Sequence, residues 1–401
     1  MALQGLRNSG NFATDQRPKN YRETILLLKP NGNAPLTGLT SMMKSASTDD
    51  PEFSWFEKQT PTQRMQMPGN LDISQTTITV SADATQLKAG HVIRVEHSGE
   101  LLLVTADPTT DLTFICSRGF AGSTPATVTI ASENPFIHVV GSAYEEGSEA
   151  PSGINYDPTK VRNYTQIFRN TLEMTRTGSK TRLRTGDQVK EAKRECLELH
   201  SIEMEKAFIF GRASEGVRNG KPVRTTGGVL SFIAGANQVN NTDGTISLLD
   251  LEGWLERMFR KGSSEKLAFV GNTAMLAVQQ AIRRNSSYNI QNGLKEYGMN
   301  VSRLVTPFGE LMLKTHPLFN QLTTTAGASW NGVDTWMVAL DMDNIRYRYI
   351  TGDDTRYEKD LAATGLDGMK SGYLSECGLE VNHGESHFWI RGLKSGVVDG
   401  T

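Results

Sequence analysis

The sequence predicts an α+β chain with a small all-β module set inside it. Three observations carry this. One long charged segment, 188–210, has no Gly or Pro; residues 73 to about 142 break into short β-branched runs; and a helix-strand-helix block at 247–296 precedes a strand-rich remainder. The chain has 401 residues, enough for two or three domains and a well-buried core.

Residues 1–35 are rich in Asn, Gly, Arg and Pro without periodicity and read as an arm, either a plain tail or one that orders against a neighbour. Arg7, Arg17, Lys19, Arg22 and Lys29 outnumber Asp15 and Glu23, so the arm is mildly basic. A helix-like piece, GLTSMMKSA, and a strand around Phe53 to Glu57 follow, and MPGN at 67–70 marks a turn. The runs ITV, HVIRVE, ELLLVTAD, LTFICSRG, ATVTIA and FIHVVG are strands, with HSGE and DPTTD as turns between them.

The segment NYTQIFRNTLEMT leads as a strand toward the long helix. Thr185 and Gln188 have capping-box spacing, and Asp187 puts negative charge where the helix dipole favours it. Val189, Ala192, Cys196 and Leu199, then Ala207 and Phe210, mark a narrow apolar stripe among Lys190, Glu191, Lys193, Arg194, Glu195, Glu198, Glu203, Glu205 and Lys206. Arg194 and Glu198 are spaced for an i,i+4 pair. At 1.5 Å per residue the helix spans roughly 35 Å. It is either a brace for a broad, thin body or an ordinary surface helix packed on a sheet. In SLLDLEGWLERMFRKG, Leu248, Leu251, Leu255 and Met258 have core spacing; KLAFVG is a buried strand, and NTAMLAVQQAIRRN a second helix. From Val301 the strands are RLVTPFGELMLKTH, TWMVALD, IRYRYI and a closing pair.

Lys plus Arg number 42 against 44 acids, a net charge of -2, which argues against a strongly basic nucleic-acid binder. Cys116, Cys196 and Cys377 are far apart, with no CxxC, so neither a zinc site nor a disulfide framework is indicated. ILLL at 25–28 is too short for a signal or a membrane span. His383, Glu385 and His387 at i, i+2, i+4 would present three ligands on one strand face. Asn382 and Gly384 argue instead for a turn. Asp341, Asp343, Asp353 and Asp354 are a weaker Mg2+ candidate. No GxSxG, GxGxxG, P-loop or HExxH is present. His200 has no evident partner and is expected at the surface. Gly227 and Gly228 fit an anion nest only if a helix opens there, so a plain loop is the reading. Five scattered tryptophans form no stacking platform. No cofactor, metal or catalytic residue is predicted.

The ordered set NYTQIFR, GD before a long helix, GRAS and RTTGG resembles the major capsid proteins of tailed bacteriophages. More narrowly, it is similar to a podovirus and siphovirus capsid family with the Hong Kong 97 fold. PEFSWFEKQT resembles the first strand of that family's extended loop, GSAYEEGSEAPSG (141–153) the return into it, SRGFAGSTPA a turn of its insertion, and LSECGLEVNHGESHFWIRGL (374–393) its closing strand pair. Cys377 and Gly378 depart from the aromatic or β-branched residues expected there. The resemblance implies a Hong Kong 97-type fold: an N-terminal arm at 1–35, an extended loop with flanks at 36–72 and 143–185, and a β-rich insertion at 73–142. The spine helix and following loop of the peripheral domain would occupy 186–224, the axial domain 225–325, and the peripheral strands 326–401.

The function implied is a coat protein assembling with itself, as hexamers and pentamers, into an icosahedral head around double-stranded DNA held by non-specific contact. Scaffold, portal and decoration proteins are further partners it allows, and a membrane is not among them. The virion is its place, after assembly in the host cytoplasm. Phe53 and Trp55 would anchor the extended loop; Arg169, with Arg194 and Glu198 on the charged helix face, would form ion pairs within or between subunits. Lys58 sits where some relatives with this fold make isopeptide bonds, without an identifiable acceptor. The insertion would brace subunits, decorate the surface or contact glycans. An encapsulin-type shell, a soluble metal-dependent enzyme using the 383–387 triplet, and a glycan-binding virion protein are the competing readings.

Overall fold

The computed structural model describes residues 44–129, 135–181, 186–241, 246–283, 290–296, 299–321, 332–352 and 354–394. The predicted arm at 1–35, Thr185, Trp330 and Asp353 lie outside them. The chain divides into two compact units, one of Phe56–Lys160 and one of the residues before and after it. It crosses between them in a two-stranded ribbon, Glu52–Glu57 with Thr159–Tyr164.

In the Phe56–Lys160 unit, six strands form one antiparallel sheet in the order Arg64–Gln66, Phe136–Ser142, His91–Val95, Leu101–Val104, Thr113–Ser117, Thr77–Thr79. Alternation does the sorting. In Thr113–Ser117, Phe114 and Cys116 enter a core with Ile78, Ile93, Leu102 and Ile137, while Ile115 faces out. The run ATVTIA contributes only an isolated bridge, Leu71 with Val128, among the described residues.

The other unit holds two larger sheets. One is ordered Ser45–Thr48, Ile345–Ile350, Gly368–Val381, Gln166–Thr175, with Arg356–Glu358 also on Gly368–Val381. Ser45 and Ala46, expected to end a helix, are thus strand; they pair in parallel with Tyr347 and Arg348. Helix Gln188–Phe210 covers this sheet. Its N-cap is Asp187, whose carboxylate accepts from the amides of Val189 (3.0 Å) and Lys190 (3.4 Å). The buried line is Cys196, His200, Met204 and Phe208, a strict i,i+4 row, whereas Leu199 is 58% exposed. The predicted stripe was therefore rotated: hydropathy favoured Leu199, but the packed row runs through a histidine.

The second sheet has seven strands, ordered Gln238–Asn240, Phe388–Arg391, Met337–Leu340, Glu265–Val270, Gly309–Thr315, Met299–Thr306, Ile290–Glu296. Helices Leu248–Phe259 and Asn272–Arg283 pack on it, the first opened by a Ser247–Asp250 capping box. Leu251, Leu255 and Met258 are core and Leu248 is half-buried. KLAFVG reads as an unbroken apolar run because both faces of its strand are covered. Leu267 and Phe269 join the core shared with the long helix, and Ala268 and Val270 the core under the two shorter helices.

The closing segment differs from expectation. Gly368–Val381 belongs to the first sheet and Phe388–Arg391 to the second, so they are not a pair. Met337–Leu340 also lies in the second sheet, hydrogen-bonded to Glu265–Val270. The stretch 326–401 thus supplies strands to both sheets instead of forming one body apart from 225–325. Strand alternation specifies a buried face, but not which sheet receives it.

Candidate functional site

The quoted motifs NYTQIFR, RTTGG and LSECGLEV meet at the C-terminal end of the long helix. Asn163 is fully buried, and its side-chain amide donates to the carbonyls of Leu379 (2.6 Å) and Gly227 (3.0 Å) and to the Thr226 hydroxyl (3.3 Å). Its Oδ1 accepts from the amides of Gly227 (2.7 Å) and Tyr164 (2.8 Å). Gln166 Oε1 accepts from the Thr226 amide at 3.1 Å. Glycine is required where these backbones touch. A Cβ on Gly211 would stand 2.3 Å from the Ala207 carbonyl, and one on Gly228 2.7 Å from those of Ala207 and Ile209. A four-residue helix, Val229–Phe232, does open after Gly228, contrary to the loop reading. The glycine amides are nevertheless spoken for, Gly227 N by Asn163 and Gly228 N by the Gly211 carbonyl (2.9 Å), so they form no anion nest.

Phe53 and Trp55 sit beside this knot. Phe53 is buried and stacks on Trp55 at 6.2 Å, and Trp55 meets Phe232 at 5.9 Å. A Cβ on Gly378 would lie 3.0 Å from the Phe53 ring and 2.7 Å from the Tyr164 carbonyl. The departure at Gly378 is therefore the space that the ring occupies. Cys377 beside it is fully buried, and burial pushes its thiol up to about 12.

The remaining predicted residues do not gather with these two. Arg169 donates to Glu358 at 2.8 Å, reaching across the central strand of its own sheet. Arg194 pairs first with Glu191, three residues before it, and lies 4.0 Å from Glu198. Lys58 is exposed. His200, expected at the surface, is buried: Nδ1 meets Asn170 Oδ1 at 2.8 Å and Nε2 meets the Ser375 hydroxyl at 2.7 Å. Burial lowers its pKa, with Glu203 opposing.

The 383–387 triplet is a turn, with His383 at φ 50. Glu385 pairs with Lys261, and buried His387 accepts from the Asp341 amide at 3.2 Å, so the three side chains do not converge. Asp341 caps its own turn and accepts from the Ser263 amide (2.9 Å), Asp343 pairs with Lys44, and Asp354 accepts from the Tyr347 hydroxyl (2.8 Å). Sequence reading missed Lys266, buried with Nζ donating to the carbonyls of Met258 (2.8 Å), Lys261 (2.8 Å) and Ser386 (2.5 Å). Burial draws it down to about 8 against the pull of Asp341. It ties the 383–387 turn to the end of a helix, and no motif marks such a role.

The knot is made of close backbone contacts, buried amide bonds and aromatic anchors, and among the described residues no group of three or more His, Cys, Asp or Glu could hold a metal ion. Residues 7–394 match the family described as SU10 major capsid protein. A major capsid protein of Pseudomonas phage PaMx41 is 25% identical over 367 residues, covering 87% of this chain and 84% of that one. Among solved structures, the capsid of an empty GTA particle aligns over 96% of this chain and 98% of its own at 9% identity, with a TM-score of 0.46. Mycobacterium phage Bobi aligns over 95% and 96% at 7% identity and 0.45. The chain belongs to the SU10 major capsid protein family; it is a phage coat subunit of mixed α and β structure. Among the described residues, no helix is long and apolar enough to cross a membrane.

Proposed function

We propose that many copies of this chain build an icosahedral head around phage double-stranded DNA, as hexamers and pentamers, after assembly in the host cytoplasm. The observation that carries the reading is the family match across 7–394, nearly the whole chain. In it, 225–325 with the strands Met337–Leu340 and Phe388–Arg391 supplies the axial body, the helix of 186–224 with the strands Ile345–Ile350 and Gly368–Val381 the peripheral one, and 36–72 with 143–185 the extended loop around the β-rich insertion. Phe53 and Trp55 fix the base of that loop; Arg169, Arg194 and Glu198 are stiffening pairs within a subunit. Each such exposed pair contributes well under about 1 kcal/mol, so shell stability comes from many weak contacts repeated by symmetry. The net charge of -2 suits a wall that contains DNA without gripping it. No residue is assigned a catalytic role, because the triplet the enzyme reading needs is spent on turn and core contacts.

The test is electron microscopy and sedimentation of the chain expressed alone, then with candidate scaffold, portal and decoration proteins. Closed shells or capsomer rings are expected. A protein that stays monomeric under all these conditions overturns the reading.

A further inference from the structure

After the long helix the chain makes a hairpin, Ser214–Arg218 with Lys221–Thr225, that pairs only with itself among the described residues. Asn219 and Gly220, at φ 52 and 72, form the tight turn that matches strand twist. Every residue of the first strand is exposed, Val217 by 78%. Opposed residues share a face, so Val217 and Pro222 make one apolar step, edged by the Glu215–Arg224 pair. Gly216 lies mid-strand outside the left-handed region, with nothing within 4 Å of where its Cβ would stand. Neither backbone strain nor crowding within the chain explains a glycine there, and such a glycine marks the close approach of another body. Arg218 and Lys221 flank the turn, exposed and without an ion-pair partner among the described residues. The second strand touches Gln166–Thr175, but the first strand and the turn stand uncovered, and a two-stranded ribbon so exposed is marginal in water, so this face is built to be covered.

The complementary feature lies in the other unit. A cleft of about 500 Å³ is walled by Leu103, Phe120 and Tyr144, with Glu145 and Ser148 at its edge. Tyr144 is held over Gly90, where a Cβ would come within 2.5 Å of the ring. From Ala143 to Asp157 there are four carboxylates and no Lys or Arg, and Glu145, Glu146 and Glu149 are exposed and without ion-pair partners among the described residues. Aromatic walls beside a carboxylate are the chemistry that receives a guanidinium.

We propose that the occupant of this cleft is the hairpin tip of a second copy. Arg218 enters between Phe120 and Tyr144 and pairs with Glu145, Lys221 faces Glu146 and Glu149, and Val217 with Pro222 covers the apolar rim. This rests on the coat-protein reading and gives it a specific contact. The two surfaces differ, so the contact is head-to-tail and propagates from copy to copy.

The test uses the full chain in three forms: Arg218→Glu with Lys221→Glu, Glu145→Lys with Glu146→Lys, and all four together. All four positions are exposed, so circular dichroism and melting temperature are expected to match the wild type. Each reversal alone is expected to lose sedimenting shells, and the combination to regain them. Shells from both single reversals at wild-type yield, or no recovery in the combination, overturn the contact and leave the cleft to another ligand such as a glycan. If the wild type forms no shells alone or with candidate scaffold, portal and decoration proteins, the coat reading fails separately. The contact is then tested by oxidising an equimolar mixture of Arg218→Cys and Glu145→Cys chains. A mixed disulfide dimer supports it, and monomer alone overturns it.

Discussion

The Phe53 ring occupies the side-chain space of Gly378: a Cβ there would lie 3.0 Å from ring Cε1 and 3.1 Å from Cζ. The residues are 325 positions apart, and the contact ties the outgoing ribbon to the central strand Gly368–Val381.

From this contact, Gly378→Val is expected to displace Phe53 and destabilise the chain by about 1–3 kcal/mol, the usual range for overpacking. Phe53→Ala is expected to cost about 3–5 kcal/mol through the cavity it leaves. Combined, the two costs should be less than additive, because removing the ring relieves the valine's clash with it, while the clash with the Tyr164 carbonyl, 2.7 Å from the Cβ, remains. Denaturant unfolding of the two single variants and the double variant measures the coupling; strict additivity would show that the ring and the glycine do not share the space.

At the knot, Asn163→Asp keeps the acceptor but removes the donors to Leu379, Gly227 and Thr226. It also buries a carboxylate. A loss of about 3 kcal/mol or more follows from the orphaned carbonyls and the uncompensated charge. Asn163→Ala loses both sides of the network and is expected to cost about 2–3 kcal/mol. Thermal unfolding ranks the two, and amide exchange at Gly227 should rise more in Asn163→Ala, which removes its acceptor, than in Asn163→Asp, which keeps it.

What was legible followed from local rules. The long helix lacks breakers and has Asp187 at its start, and KLAFVG and the short β-branched runs declare themselves by apolar pattern. What was not legible depends on partners far away in sequence. His200 is buried because Asn170 and Ser375 satisfy it from 30 and 175 residues away, and a hydropathy scale cannot know that. The same holds for Lys266 and for the allotment of Gly368–Val381 and Phe388–Arg391 to different sheets. Phe53 and Trp55 were singled out by the resemblance of PEFSWFEKQT; Asn163 could not be, since a lone asparagine beside a strand looks like any other.

His387 makes stability depend on pH. Burial, opposed by Asp341 and assisted by Lys266, lowers its pKa from the ordinary histidine value to about 4. The folded form therefore resists a proton that the unfolded chain accepts. The stability of the neutral form is full above pH 6.5 and falls as pH drops toward 4. The loss across that range is on the order of a few kcal/mol. The expectation is that unfolding free energy falls less between pH 7 and 4 in His387→Gln than in the wild type. Parallel curves would remove His387 as the cause.

In the β unit, Arg118 and Glu100 form a bidentate pair, both bonds 2.7 Å, with side chains 7% and 0% exposed. The amides of Gly119 (3.2 Å) and Ala126 (3.1 Å) also donate to the carboxylate, and the guanidinium reaches the carbonyls of Asp72 (2.5 Å), Gln75 (3.2 Å) and Ala126 (2.9 Å). Burial works against the charge on Glu100, yet the Arg118 bonds and the two amides hold its pKa below the usual carboxylate value. The pair is a clip: one arginine of the SRGFAGSTPA turn ties the far end of that turn, at Ala126, and the segment 72–75 to the Glu100 carboxylate. Removing one partner strands a buried charge, so Arg118→Ala and Glu100→Ala are each expected to cost about 3–5 kcal/mol. Replacing both with apolar residues of similar size, Arg118→Met with Glu100→Leu, is expected to cost less than either, since no charge is left behind, although Gly119 and Ala126 then lose their acceptor. Denaturant unfolding of the three variants decides. If the double apolar variant is as unstable as the sum of the single ones, the clip acts through its backbone bonds more than through the ion pair itself.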